Sequence, residues 1–337
     1  MITAECFGIV LQVESEDPAF EAFVARNYRS FLGALPARPD IEVRFGPQAG
    51  QAARDRKAGM ASLGMGLHFD SASLYWENDF GFSLLVTPGS EGGLDGGFPD
   101  GGFEVEAYHF DLERESDPDL RARNYQRSMR WAVHFPLFVL LGERAGLRLA
   151  HASALARDDE RALVFCGLNK VGKSTLAAFL AQQAGYRFMT DNFLLADEGS
   201  VYGFPEALRL DPESLARLGL TPAPETTVYG KHHIEVGPTD TCLKADPAAV
   251  FLVTNGPSLF AEPLDAGKAL RTLAGLHGYL GEFPEQSFLA GLPLLGGAGP
   301  VQPGCEATVL SQRPWYQLSL PKNWELGDVK ELVESCI

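Results

Sequence analysis

Eight consecutive residues carry the most specific chemistry in the chain: Gly167-Leu-Asn-Lys-Val-Gly-Lys-Ser174, with the G-x-x-x-x-G-K-S spacing of a phosphate-binding loop. In such a loop the backbone N–H groups, here of Asn169, Lys170, Val171 and Gly172, point inward and hold phosphate oxygens. The helix that follows adds partial positive charge at its N-terminus. Gly167 and Gly172 allow backbone conformations that a Cβ would obstruct. Lys173 is then expected to bridge β- and γ-phosphates, and the Ser174 hydroxyl to ligate Mg²⁺. Thr175 follows on the helix with a less definite role. The pattern predicts a bound nucleoside triphosphate, taken here as ATP, with Mg²⁺ as its companion.

Further residues bear on what such a site would do. Phe188-Met-Thr-Asp191-Asn192 reads as a strand end one helix downstream of the loop. Asp191 there suits a metal-holding or proton-accepting carboxylate, with a simple Asp-Asn turn as the alternative. Asp197 is the competing acid. Asn192 offers an amide oxygen to Mg²⁺ but cannot act as a base. His151, on the segment before the loop strand, is either a partner of phosphate or of Asp191, or a histidine packed at a strand end. Arg209 is a candidate phosphate contact, the alternative being a surface arginine on a hairpin. Lys231, after Gly230, is a candidate for neutralising charge on a transferred phosphoryl group. His232 and His233 alternate on a strand and so point apart, which argues against a shared metal.

His151-Ala-Ser, a hairpin, the phosphate loop ending Lys173-Ser174-Thr175, and then Thr190-Asp191-Asn192 resemble the bacterial HPr kinase/phosphorylase family and its broader HPr-kinase-related group. The likeness covers about residues 147–210, with a weaker echo to Val236, and leaves the first 110 residues aside. It implies a phosphoenolpyruvate-carboxykinase-like loop core rather than the ordinary parallel-sheet one. It also implies that His151, Lys173, Ser174 and Asp191 surround the transferred phosphate, and, by analogy alone, a homo-oligomer. Where the family has two adjacent acids, this chain has Asp191 and then Asn192, and the family's downstream signature for its protein substrate is not found. The resemblance therefore implies a one-way kinase acting on a hydroxyl, either a serine of a peptide or protein or a small metabolite. A nucleotide-binding regulatory module is the alternative.

The elements needed to position these residues are legible around them. Arg161 to Cys166 reads as a short apolar strand covered on both faces, feeding the loop. Leu147 to Ala156 reads as its neighbour across a charged turn. A helix starts at about Lys173 and ends at Gly185. Val201 to Leu210, Ala248 to Thr254 and Trp315 to Leu320 read as strands, while Ala266 to Leu280 and Leu326 to Val333 read as helices. Upstream, alternation over Cys6 to Val13, helical aromatic spacing from Phe20 to Leu32, and strands near Ile41, Leu67, Phe80 and Phe103 predict an α+β region. The run 89–102 is rich in glycine and reads as a surface loop. Asp117-Pro-Asp opens a helix towards Gly142, with a kink at Pro136. The fold class expected is α/β with a mixed α+β sheet, divided at about residue 111 into an N-terminal region (1–110) and a catalytic domain (111–337).

Composition sets outer limits. The chain has 337 residues, 45% of them hydrophobic, which suffices for full cores without disulfides. Its 28 basic and 44 acidic side chains give a net charge of −16, which disfavours nucleic acid and anionic lipid as partners. No apolar run reaches the roughly 20 residues of a membrane span. Five dispersed cysteines and a start without signal-peptide character predict reduced thiols and a cytoplasmic location.

Overall fold

The computed structural model describes residues 1–33, 38–64, 66–70, 73–78, 81–89, 102–168, 170–183, 185–204, 206, 208–221, 227–228, 230–234, 236, 240–279 and 309–337. Most of the glycine-rich run, Asn169, most of the Pro-rich stretch after Thr221, and Cys305 lie outside the described residues. The chain forms two compact units, one built on Met1–Leu147 and one that starts at Arg148. Both contain large mixed sheets, so the class is mixed α/β.

The strands of the first unit are β1 (Ile2–Cys6), β2 (Ile9–Ser15), β3 (Ile41–Phe45), β4 (Ala61–Gly64), β5 (Leu67–Phe69), β6 (Leu74–Glu77), β7 (Phe82–Pro88) and β8 (Phe103–His109). They lie in the order β1-β2-β3-β8-β7-β6-β5-β4. β2, β3 and β8 run parallel and the other pairs antiparallel. Alternation explains the first hairpin: Ile2, Ala4, Cys6, Ile9, Leu11 and Val13 are all buried. Helix α1 (Pro18–Asn27) starts where the Asp17 carboxylate accepts from the Ala19 and Phe20 N–H groups.

Helix α2 (Pro47–Lys57) was not expected from the sequence. Only the small residues Ala49, Gly50 and Ala53 face inward, so no apolar periodicity marks it. Helix α3 (Pro118–Met129) begins as expected, with Asp117 capping Asp119 and Leu120. A π-helical turn at Arg130–His134 joins it to α4 (Phe135–Ala145). Pro136 lacks an N–H and its ring crowds the preceding turn, and the widened turn absorbs both defects. Gly142 is a buried residue inside α4; the helix ends at Gly146, in a left-handed conformation.

The expected boundary near residue 111 falls inside this unit. β8 leads directly to α3, and α3 is tied to α1. Tyr125 donates to Asp17 at 2.6 Å and its ring lies 5.8 Å from that of Phe20.

The second unit holds β9 (Arg148–Arg157), β10 (Arg161–Cys166), α5 (Lys173–Ala181), β11 (Tyr186–Thr190), β12 (Phe193–Ala196), β13 (Val201–Gly203), β14 (Leu208–Leu210), α6 (Pro212–Leu218), β16 (Lys231–Ile234), β17 (Lys244–Asn255), β18 (Phe260–Leu264), α7 (Ala266–Tyr279), β19 (Trp315–Leu320) and α8 (Leu326–Glu334), while β15 (Thr227–Val228) groups with the first unit. Within the second unit β14 and β16 pair antiparallel. The main sheet runs β10-β9-β12-β13-β17-β19-β18, and β10 also pairs parallel with β17. Five strands, β10, β9, β12, β13 and β17, thereby close a ring. Small side chains such as Ala150, Ala152, Ala154, Ala162 and Cys166 pack on one side of it. On the other side Leu163 and Phe165 pack with Leu176 and Leu180 of α5 and Val329 of α8. β10 is thus buried on both faces, as its unbroken apolar sequence implies.

Candidate functional site

The loop after β10 is shaped by positive backbone angles. Gly167 has φ 139°, Lys170 φ 64° and Gly172 φ 98°. A Cβ at Gly167 would stand 2.4 Å from the carbonyl oxygen of Val253 on β17, so only glycine fits between the two parallel strands. Helix α5 then starts at Lys173. Lys170 is exposed and Val171 buried.

Lys173 is 6% exposed, and its Nζ donates to the carbonyl oxygens of Gly167 and Leu168, both at 2.8 Å. Burial lowers its pKa to about 8, although the nearby Asp191 carboxylate pulls it up. The ammonium spans the mouth of its own loop.

Asp191 is 3% exposed and lies between β11 and β12, which pair in succession with β9. One extra residue on β11, Met189, makes a bulge just before it. Thr190 Oγ1 donates to the carbonyl oxygens of Phe193 and Phe204, both at 2.8 Å, which fixes the bend. Ser153 on β9 donates to Asp191 Oδ1 at 2.9 Å. The Ser174 hydroxyl lies close enough to the Asp191 carboxylate to pull its pKa down. Burial raises the Asp191 pKa, while those two hydroxyls and the positive charges of Lys231 and Arg209 oppose the rise.

Asp191 therefore lies within electrostatic reach of the adjoining Lys173 and Ser174 and of Lys231 and Arg209, which stand far from them in sequence. His151 lies on β9 two residues from Ser153, hence on the same face of the strand, opposite Phe193 and half-buried. Thr175 is engaged elsewhere: its Oγ1 meets Ser214 Oγ of α6 at 2.7 Å. The Asn192 side chain donates from Nδ2 to Glu206 Oε2 at 3.0 Å. Asn169 is outside the described residues.

Arg209 is not the surface arginine that the hairpin suggested. It is 6% exposed and pairs with Glu206, itself 1% exposed, at 2.6 Å. Glu206 is the residue that the sequence reading missed. It links Arg209 to Asn192, and through Asn192 to the Asp191 bend. The available signal was an acid three positions before an arginine in a segment otherwise apolar at Phe204, Leu208 and Leu210.

The donor set fits Mg²⁺, a hard cation that takes oxygen ligands and keeps much of its water. The Ser174 hydroxyl and the buried Asp191 carboxylate, near enough for the one to lower the pKa of the other, offer two such oxygens. Among the described residues no group of three or more His, Cys, Asp or Glu side chains forms a fuller metal site. Asn192 presents its amide nitrogen to Glu206, which leaves its oxygen as the only part of that side chain suited to a cation.

No family model matches the chain, and no curated protein does. Among solved structures, the HPr(Ser) kinase/phosphatase from Coxiella burnetii is similar at a TM-score of 0.29 and 10% identity, over 56% of this chain and 95% of that one. A likeness of that size carries no argument about fold or activity. Among the described residues no helix is long and apolar enough to cross a membrane.

Proposed function

We propose that the second unit is an ATP- and Mg²⁺-dependent kinase that passes the γ-phosphoryl group to a hydroxyl of a peptide, protein or small metabolite. The observation that carries this reading is the buried Asp191 carboxylate, held by Ser153, beside a loop that Lys173 bridges through the Gly167 and Leu168 carbonyls. The order of motifs, His151-Ala-Ser, loop and Thr190-Asp191-Asn192, supports a core of the HPr-kinase type.

In this mechanism the loop amides and Lys173 hold the phosphate oxygens. Lys173 gives up its two carbonyl partners for the phosphates and neutralises charge as it develops. Mg²⁺, held by Ser174 and Asp191, would supply electrostatic stabilisation of the β- and γ-oxygens. In the alternative role, with Mg²⁺ left to Ser174 and water, Asp191 orients the acceptor hydroxyl and takes its proton. Its raised pKa makes it a better proton acceptor than an exposed carboxylate. Lys231 and Arg209 hold Asp191 anionic until then, and His151 assists the proton or contacts phosphate.

The regulatory-module alternative draws on Asn192, which is no base and is committed through its amide to Glu206. Equilibrium binding decides the shared premise. Wild type should bind ATP with Mg²⁺, and Lys173→Ala should weaken it by about 10- to 100-fold, the worth of a charged hydrogen-bond partner. Undiminished affinity in Lys173→Ala, measured by titration calorimetry, would remove the site.

A further inference from the structure

The first unit contains a cavity of about 340 Å³ that the phosphate loop does not touch. It is lined by His109 at the end of β8, Arg114 in the turn that follows, and Leu120, Arg123, Asn124 and Arg127 of α3. The α3 residues fall three and four apart, so they share one face of the helix. That face puts Arg123 and Arg127 one turn apart with Asn124 between them. In a chain of net charge −16, three arginines lining one cavity is a marked local reversal.

The second observation is His109. It is 1% exposed, and neither ring nitrogen has a hydrogen-bond partner among the described residues. Burial lowers its pKa to about 4 against the pull of Asp111, so at neutral pH the ring is uncharged and offers one N–H and one bare nitrogen. Both nitrogens are closed to solvent, so the ring is a neutral wall of the cavity rather than a contact for its occupant. Asp111 and Glu115 also line the cavity. Three cations against two carboxylates favour a ligand that is anionic yet carries a donor group of its own. The volume lies at the lower end for small-molecule sites. Guanidinium groups suit carboxylate and phosphate oxygens because their planar fork meets two oxygens at once.

We infer that this cavity binds a small hydroxylated or amino-bearing organic anion, its carboxylate or phosphate on the arginines and its donor group on Asp111 or Glu115. The inference does not depend on the kinase reading.

The test is calorimetric titration of the full chain with citrate, O-phosphoserine and inorganic phosphate at fixed ionic strength. Wild type should bind citrate or phosphoserine saturably, below about 1 mM, each probe separating a carboxylate from a phosphate preference. Arg127→Gln and Leu120→Trp should each weaken that binding at least tenfold, and Lys173→Ala should leave it intact. Arg114→Gln stands in should Leu120→Trp not fold. Three results would overturn the inference: no probe bound below 10 mM, binding retained in the cavity variants, or binding lost in Lys173→Ala, which would put the anion on the phosphate loop.

Discussion

Lys173 and Asp191 are two buried ionisable groups pushed in opposite directions from their ordinary values; each looks to the other for relief, and Lys173 to a phosphate as well. For Lys173 the sign of the pH effect follows. Its folded pKa, about 8, lies below the value of 10.5 for a free lysine, so the unfolded chain binds more protons between those pH values. The burden that charging Lys173 places on the fold is therefore present in full below pH 8 and eases as pH rises through that window. The proposed nucleotide binding runs the other way, because it would need the ammonium. ATP affinity is expected to fall by about tenfold per pH unit above pH 8, with proton uptake on binding, and calorimetry in buffers of different ionisation enthalpy would measure both. A flat affinity between pH 7 and 9.5 would mean that Lys173 is charged throughout or not in contact with phosphate. Asp191→Asn separates its two possible duties from a turn role. It should retain nucleotide within a few fold and lose transfer by at least about 100-fold, the usual scale for removing a general base. Full transfer activity in that variant would reduce Asp191 to a bend residue.

At the scale of elements, what was legible follows the physics of each signal. The strand-loop-helix of β10 and α5 is local, and its residues fix it: an apolar run, glycines where φ is positive, then a helix. β19 and α8 were equally clear from alternation and helical spacing. Three features were not. Helix α2 hides because it buries only small side chains. Its contact with β8 is so close that a Cβ at Gly50 would stand 2.5 Å from the Cβ of Tyr108. Gly50→Ala tests that packing by its sign. Helix propensity alone would stabilise by up to about 1 kcal/mol. The clash is expected to win and destabilise by about 1–3 kcal/mol, read from the denaturant midpoint. The Glu206–Arg209 pair was hidden because burial of a charged hairpin depends on strands far away in sequence. The π-helical turn was half legible: Pro136 announced a disturbance, but not the wider turn that absorbs it.

At the scale of the whole chain, the two units carry different amounts of readable chemistry. The second carries its candidate site in a single octapeptide, and its folding brings Lys173, Lys231 and Arg209 into electrostatic reach of Asp191, the grouping on which the proposed phosphoryl transfer rests. The first carries no sequence motif at all. Its arginine-lined cavity emerges only when β8 and α3 are brought together, since His109, Arg114 and the α3 face are unremarkable as letters. The sequence division at residue 111 failed for the same reason, because the Tyr125–Asp17 contact that ties α3 to α1 spans more than a hundred residues. The central claim is phosphoryl transfer by the second unit. Its most direct test is label transfer from γ-labelled ATP into a cell extract separated into macromolecules and small molecules, with wild type run beside Lys173→Ala. The expected result is label in one of those fractions with wild type and none with the variant. ATP bound but no acceptor labelled, across several divalent metals and extracts, would contradict the kinase and leave a nucleotide-binding module in its place.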